Sequence, residues 1–119
     1  MPPADHLAKQ DLTSSNLSGS DLADADLHET TLRYATVRDT DVERADLAQA
    51  DLTLADLRGS SLREATAAHT NLTGADLRGV DLDGANLRGA RLEGAQVDAP
   101  SPGTTVPDAG AAETLSAAE

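Results

Sequence analysis

The sequence predicts an all-β solenoid, and three regularities lead there. From Leu12 to Val97 an apolar residue returns at every fifth position, eighteen times without a slip. Two residues before each stands a small one, mostly Ala, Ser or Thr. Directly before it comes Asp or Asn at most repeats, as in Ala55-Asp56-Leu57-Arg58-Gly59 and Ala75-Asp76-Leu77-Arg78-Gly79. A period of five matches neither an amphipathic helix, which needs spacings of three and four, nor a half-buried strand, which alternates. Five residues do suffice for one short extended side and a corner, so successive units wind into coils that pack on one another. The central apolar residue and the small one then point inward, and the other three outward.

Taken in order, residues 1–9 form an irregular lead-in that caps the first coil. Leu7 already keeps the five-residue register, but Asp5 occupies its inward small position. The repeat unit spans 10–99, and Gln10 is oversized for its column, which predicts a frayed first turn. The small column is Ala at 25, 35, 45, 55, 65, 75, 85 and 95, and mostly Ser or Thr between them at 20, 30, 40, 60 and 70, a period of ten. Ala67 stands where Leu is expected, a local thinning of the core that costs roughly 2–5 kcal/mol by analogy with Leu→Ala changes. Gly74, Gly79, Gly84, Gly89 and Gly94 close five repeats in a row. Glycine suits corners with positive φ, so this half of the rod is predicted to be the most regular. After Ala99, Pro100, Pro102, Gly103 and Pro107 break any regular element, and 100–119 is predicted to be a disordered tail rich in Pro, Ala and Gly.

The repeat over 10–99 resembles the pentapeptide-repeat family, and the resemblance covers about three quarters of the 119 residues. It implies a right-handed quadrilateral parallel β-helix with four repeats per coil, hence about 4.5 coils here. The alternation in the small column is compatible with a twenty-residue coil without requiring it. Some members of the family bind DNA gyrase and topoisomerase IV as DNA mimics, inhibiting them or protecting them from quinolones and toxins. Other members dimerise through an apolar C-terminal helix. Residues 111–119 offer Leu115 as their only large apolar side chain, which leaves a monomer or an end-to-end homodimer stacked through the Val97 end.

Composition fits a narrow rod. The chain has one Tyr and no Phe, Trp or Cys. A conventional core of Leu and Ala alone is poorly specified, whereas a solenoid needs one Leu-sized plug per side, each worth roughly 1.5–3 kcal/mol when buried. The absence of Cys excludes a disulfide framework. Residues 1–9 lack the apolar run of a signal peptide, and no stretch of 18 apolar residues occurs, so a cytoplasmic protein is expected.

Nothing in the sequence spells catalysis. There is no Gly-x-Ser-x-Gly, P-loop or dinucleotide fingerprint, and a register without insertions leaves no loops from which to build a pocket. In a four-sided rod His28 and His69 share a side but lie two coils apart, on the order of 10 Å, too far to share a metal ion. The expectation is no enzyme, no metal and no cofactor. An accessory role in a biosynthetic pathway would require a cavity, and the thinned core at Ala67 is the one place for it.

Charge carries the functional signal. The formal net charge is −12. On the side centred on Leu22, Val42, Leu62 and Leu82, seven carboxylates (Asp21, Asp24, Asp41, Glu43, Glu64, Asp81, Asp83) face Arg44 and Arg63, a net −5, while each of the other three sides sums to about −1. Arg38, Arg58 and Arg78 recur at twenty residues beside Asp56 and Asp76 and predict an ion-paired ladder. Part of the acidity has a structural use, since Asp before the central Leu orders the turn by accepting backbone hydrogen bonds. The functional use is imitation of duplex DNA. At about 4.8 Å per coil the rod is roughly 22 Å long, the length of six or seven base pairs. The candidate partner-binding face is Asp21, Asp24, Asp41, Glu43, Asp81 and Asp83, directed at the basic saddle of a type II topoisomerase. Such a face repels nucleic acid and anionic membranes, so neither is an expected partner. Tyr34 and Leu54 stack on adjacent coils in the four-sided arrangement and form a candidate apolar contact patch, as a scaffold with a different protein partner would use.

Overall fold

Each pentapeptide in the computed structural model, which describes residues 7–98, is an extended stub followed by a left-handed corner. The second residue after every central one, from Lys9 to Gly94, has φ between 52° and 76°. Except at Thr40, whose N–H goes to Ser60 Oγ, the residue after that corner donates its N–H to the central carbonyl, as Ala55 does to Leu52 at 3.0 Å and Ala75 to Leu72 at 3.0 Å. These are the marks of a type II turn, in which the third residue must be left-handed. The turn motif begins ahead of Gln10, because Gln10 N–H already closes on the Leu7 carbonyl at 3.3 Å. Residues 1–6 of the lead-in and all of the 100–119 tail lie outside the described residues.

The corners turn the chain back over itself every twenty residues. Parallel bridges join Asp11 to Thr31, Thr31 to Asp51, Asp51 to Asn71 and Asn71 to Arg91, and the other sides repeat the same offset. Two pairs lengthen into β1 (Asp76–Leu77) and β2 (Gln96–Val97), parallel and in register. Four pentapeptides therefore make one coil, the spacing that the sequence alone left open. Between coils the hydrogen bonds have a constant pattern. The central and corner N–H groups reach forward (Leu52 to Asn71 at 2.7 Å, Leu54 to Thr73 at 2.9 Å), and the N–H before the central residue reaches back (Asn71 to Ala50 at 2.9 Å).

Inside, the two inward columns close on each other. Leu27, Leu52, Leu57, Leu62, Leu72, Leu77, Leu87 and Leu92 are fully buried, with Ala25 through Ala90 filling the gaps between them. Leu7, Leu12 and Leu17, in the first described coil, are only partly buried, as the end of a stack requires. Ala67 is itself 2% exposed, so the column stays closed to solvent where its side chain stops at Cβ.

The Ser and Thr residues of the small column have a defined task. Thr30, Thr40, Ser60 and Thr70 are buried, and each hydroxyl donates to the central carbonyl 23 residues earlier: Leu7, Leu17, Val37 and Leu47 in turn. Ser60 also accepts the Thr40 N–H at 3.0 Å, so its hydroxyl is set into the Val37 turn of the coil before. Among the described residues no buried side-chain polar atom lacks a partner, which is what a buried hydroxyl needs to avoid a desolvation cost of about 1–3 kcal/mol.

Candidate functional site: an acidic face and its neighbours

The column before the central residue fixes the carboxylates on each side. At all twelve Asp or Asn positions there, from Asp11 to Asn86, Oδ1 accepts the N–H two residues on. On the acidic side this holds Asp21 against Ala23, Asp41 against Glu43 and Asp81 against Asp83, at 3.0–3.1 Å. Bridges from Asp21 to Asp41, Asp41 to Ser61 and Ser61 to Asp81 set them in one file along the rod. The file is rigid because its carboxylates are tied to backbone.

The flanking members pair with the two arginines. Arg44 grips Asp24 through two bonds, Nε to Oδ1 at 2.9 Å and Nη2 to Oδ2 at 3.1 Å, and this contact holds the Asp24 carboxyl below the usual carboxylate range. Arg63 sits among three carboxylates, 3.3 Å from Asp81, 3.6 Å from Asp83 and 3.7 Å from Glu43. Asp21 and Asp41 make no ion pair within 4.0 Å among the described residues. The structure thus brings the six candidate residues onto one face, with most of the positive charge spent on Asp24 and on the Glu43/Asp81/Asp83 cluster.

The adjacent side carries the predicted arginine ladder. Arg58 bonds Asp56 at 2.9 and 3.0 Å and approaches Asp76 at 3.6 Å; Arg78 bonds Asp76 at 2.7 and 2.9 Å; Arg38 lies 3.9 Å from Asp56. Hydrogen bonds from Arg58 and Arg78 lower the carboxyl pKa of Asp56 and Asp76 respectively, against the opposing effect of partial burial. A lowered folded pKa contributes stability that is present above the unfolded value of about 3.9 and lost as pH falls through the folded one. The stability difference between the protein and an Arg58→Gln variant is therefore expected to be full at pH 6 and to shrink progressively in acid below about pH 4, read by chemical denaturation across that range.

Tyr34 and Leu54, 53% and 49% exposed, are the large apolar side chains left in solvent among the described residues. Both occupy left-handed corners, with φ of 60° and 58°, where a bulky residue is strained. The Arg33 guanidinium lies 5.8 Å from the Tyr34 ring centroid. Leu54 folds along the rod onto the next corner, so that a Cβ at Gly74 would stand 2.7 Å from its Cδ2. Gly94, in the same corner column, has nothing nearer than 3.9 Å. Gly74→Ala is expected to cost a few tenths of a kcal/mol more than Gly94→Ala, since both share the positive-φ penalty and only the first makes the exposed Leu54 side chain swing aside. Paired thermal melts read the difference, and Leu54→Ala should erase it. The arginine-ladder side separates this corner from the acidic file, so the two surfaces are not one continuous epitope.

One cluster was not anticipated. His28 Nδ1 lies 2.5 Å from Asp26 Oδ1, and Asp46 stands directly opposite Asp26 in the ladder. The hydrogen bond to Asp26, with the charges of Asp26, Asp46 and Glu29, raises the His28 pKa against desolvation. Histidine spacing alone pairs His28 with His69, two coils away on the same side, and passes over Asp46. The signal that finds Asp46 is the twenty-residue offset, applied to carboxylates as well as to histidines.

Comparison with known proteins agrees with this architecture. The pentapeptide-repeat family profile matches residues 11–49, 43–79 and 60–96, with 8 copies of the repeat. The pentapeptide repeat protein alr5209 from Nostoc Pcc 7120 is 36% identical, covers 75% of this chain and 75% of its own, and superposes with a TM-score of 0.72. Rfr23 from the cyanobacterium Cyanothece 51142 is 33% identical over 83% of this chain and 60% of its own, with a TM-score of 0.56. The thylakoid-lumen protein AT2G44920 of Arabidopsis thaliana is 28% identical over 81% of this chain and 66% of its own, with a TM-score of 0.62. This chain thus spans less than two thirds of the length of the second and third. No curated protein matches the sequence. No helix among the described residues is long and apolar enough to cross a membrane. On its eighteen-fold repeat, its twenty-residue ladder and the match over 11–96, the chain belongs to the pentapeptide-repeat family.

Proposed function

We propose that the repeat unit 10–99 is a right-handed quadrilateral rod of about 4.5 coils that works, without catalysis and in the cytoplasm, by presenting its acidic file to a basic groove on a protein partner. The right-handed sense follows the strong general preference of parallel crossover connections. The observation that carries the reading is the file itself: Asp21, Asp41 and Asp81 aligned along the rod by ladder and turn bonds, flanked by Asp24, Glu43 and Asp83. Negative charge set along a stiff rod, with Asp21 and Asp41 one coil (about 4.8 Å) apart and Asp81 two coils (about 10 Å) further on past Ser61, is a coarse copy of a phosphate strand. Proteins that bind duplex DNA without reading its bases select for that feature.

The partner we propose is DNA gyrase or topoisomerase IV, with the rod competing for the DNA-binding saddle. In this reading the protein itself binds neither DNA nor membrane, and a monomer or an end-to-end homodimer exposes the file equally. Purified protein titrated into a gyrase supercoiling assay at two salt concentrations tests it. Inhibition that weakens as salt rises is the expected result, because long-range complementarity is screened within about 10 Å at 0.1 M ionic strength. Absence of inhibition at tens of micromolar would remove gyrase as the partner.

A second reading rests on Tyr34 and Leu54. Two strained, exposed apolar side chains on one corner suit a scaffold that docks a protein through apolar contact. Such a complex should hold its affinity between 0.05 and 0.5 M salt and weaken in Tyr34→Ala, which separates it from the acidic-file reading.

A further inference from the structure

We infer that Asp26, His28 and Asp46 form a binding site for a divalent first-row transition-metal ion. One ligand atom from each can be chosen so that all three lie within 4.8 Å of one another. The architecture puts them there. Asp26 and Asp46 are bridged neighbours on successive coils, and His28 follows Asp26 by two residues on the same outward face.

The comparison with the arginine ladder is what distinguishes this place from other acidic stretches. Asp56 and Asp76 are also bridged carboxylates one coil apart, and Arg58 and Arg78, in the position after the central Leu, lay permanent cations on them. His28 holds that same position for Asp26 and Asp46. An imidazole supplies what a guanidinium does not, a nitrogen lone pair when neutral. A metal ion shared between the two carboxylates and His28 forms bonds that a guanidinium cannot.

The donor set specifies the ion. One imidazole nitrogen and two carboxylate oxygens suit Zn²⁺, Co²⁺ or Mn²⁺, with the remaining positions open to water. Ca²⁺ and Mg²⁺ favour all-oxygen sets and are selected against by the imidazole. The carboxylates are already oriented from behind: His28 N–H donates to Asp26 Oδ1 at 3.2 Å and Ala48 N–H to Asp46 Oδ1 at 2.9 Å, the kind of outer contact that steadies a ligand. Binding replaces the proton between His28 Nδ1 and Asp26 Oδ1 with the metal, so that contact widens to about 3 Å, the separation of two ligands at roughly 2.0–2.1 Å. Among the described residues, the groups facing His28 are Asp26, Asp46 and Glu29, whose carboxylate is 4.0 Å from Nε2.

The test is calorimetric titration of ZnCl₂, and separately CoCl₂, into the full chain at pH 7.5, repeated with His28→Gln, Asp46→Asn and His69→Gln. Asn keeps the turn acceptor at position 46, and circular dichroism checks that each variant is folded. The expected result is one equivalent of metal, bound at least tenfold more weakly by His28→Gln and by Asp46→Asn and unchanged in His69→Gln. No saturable binding of either ion would overturn the inference, as would binding that either of the first two substitutions leaves unaltered.

Discussion

Replacing Glu43 and Asp83 with Lys, and Asp41 and Asp81 with Asn, is expected to abolish inhibition of gyrase while the melting curve keeps its cooperative shape. The choice of substitution follows from the two jobs these carboxylates do. Asp41 and Asp81 accept the Glu43 and Asp83 N–H groups through Oδ1, and Asn16, Asn71 and Asn86 perform the same task elsewhere in the rod. Asn therefore removes charge and keeps the turn. Among the described residues, Glu43 and Asp83 form ion pairs with Arg63 alone, at 3.7 and 3.6 Å, on a surface where such pairs are worth little. The four changes take the side from a net −5 to about +1 by formal charge. A loss of at least a hundredfold in the inhibitory concentration, with an unchanged circular dichroism spectrum, is the predicted outcome. Undiminished inhibition would mean that the acidic file is not the contact surface.

Leu57→Ala is expected to lower stability by about 2–5 kcal/mol and the melting temperature by about 10 °C or more. Leu57 is 1% exposed and stacks in its column between Val37 and Leu77, twenty residues on either side. Truncation leaves a gap that the surrounding coils fill only in part, because their backbones are fixed by the interstrand bonds of Val37 to Asp56 at 2.7 Å and Leu57 to Asp76 at 2.9 Å. Damage in a solenoid is shared with the neighbouring coils, so the loss should appear as one cooperative shift. A thermal melt that moves by less than 3 °C would contradict a core made of single Leu plugs.

The sequence made the architecture legible because five-residue periodicity has so few physical solutions. The inward Leu column, the small column, and the Asp that orders each turn are all local demands, repeated at every unit, and each can be read from one pentapeptide. The number of units per coil is different. It depends on which carbonyl the Leu52 N–H finds, that of Asn71, and no single repeat encodes it. The Ser and Thr of the small column hinted at it without stating why they are there. Thr70 is retained because its hydroxyl reaches the Leu47 carbonyl one coil below, a bond between residues that sequence spacing alone does not pair.

The candidate site was legible to the same depth. The membership of the acidic face came from counting charges at outward positions, which the register fixes. Its internal pairing did not, because Arg63 reaches along the rod to Glu43 and Asp83 and sideways to Asp81, a choice made by side-chain geometry. Tyr34 and Leu54 were legible as exposed. Their left-handed φ is readable only through the register, from Gly74 and Gly94 in the same corner column, since neither Tyr nor Leu announces such a corner by itself. Leu54 then lies over Gly74, which gives that glycine a second reason for having no side chain.

The most direct test of DNA mimicry is displacement. Labelled duplex DNA is bound to gyrase, the purified rod is added, and the complexes are separated by mobility. Mutually exclusive binding is predicted, with DNA released in proportion to the rod bound and with the release suppressed by salt. A stable ternary complex of gyrase, DNA and rod would contradict the account, because two ligands cannot occupy one saddle.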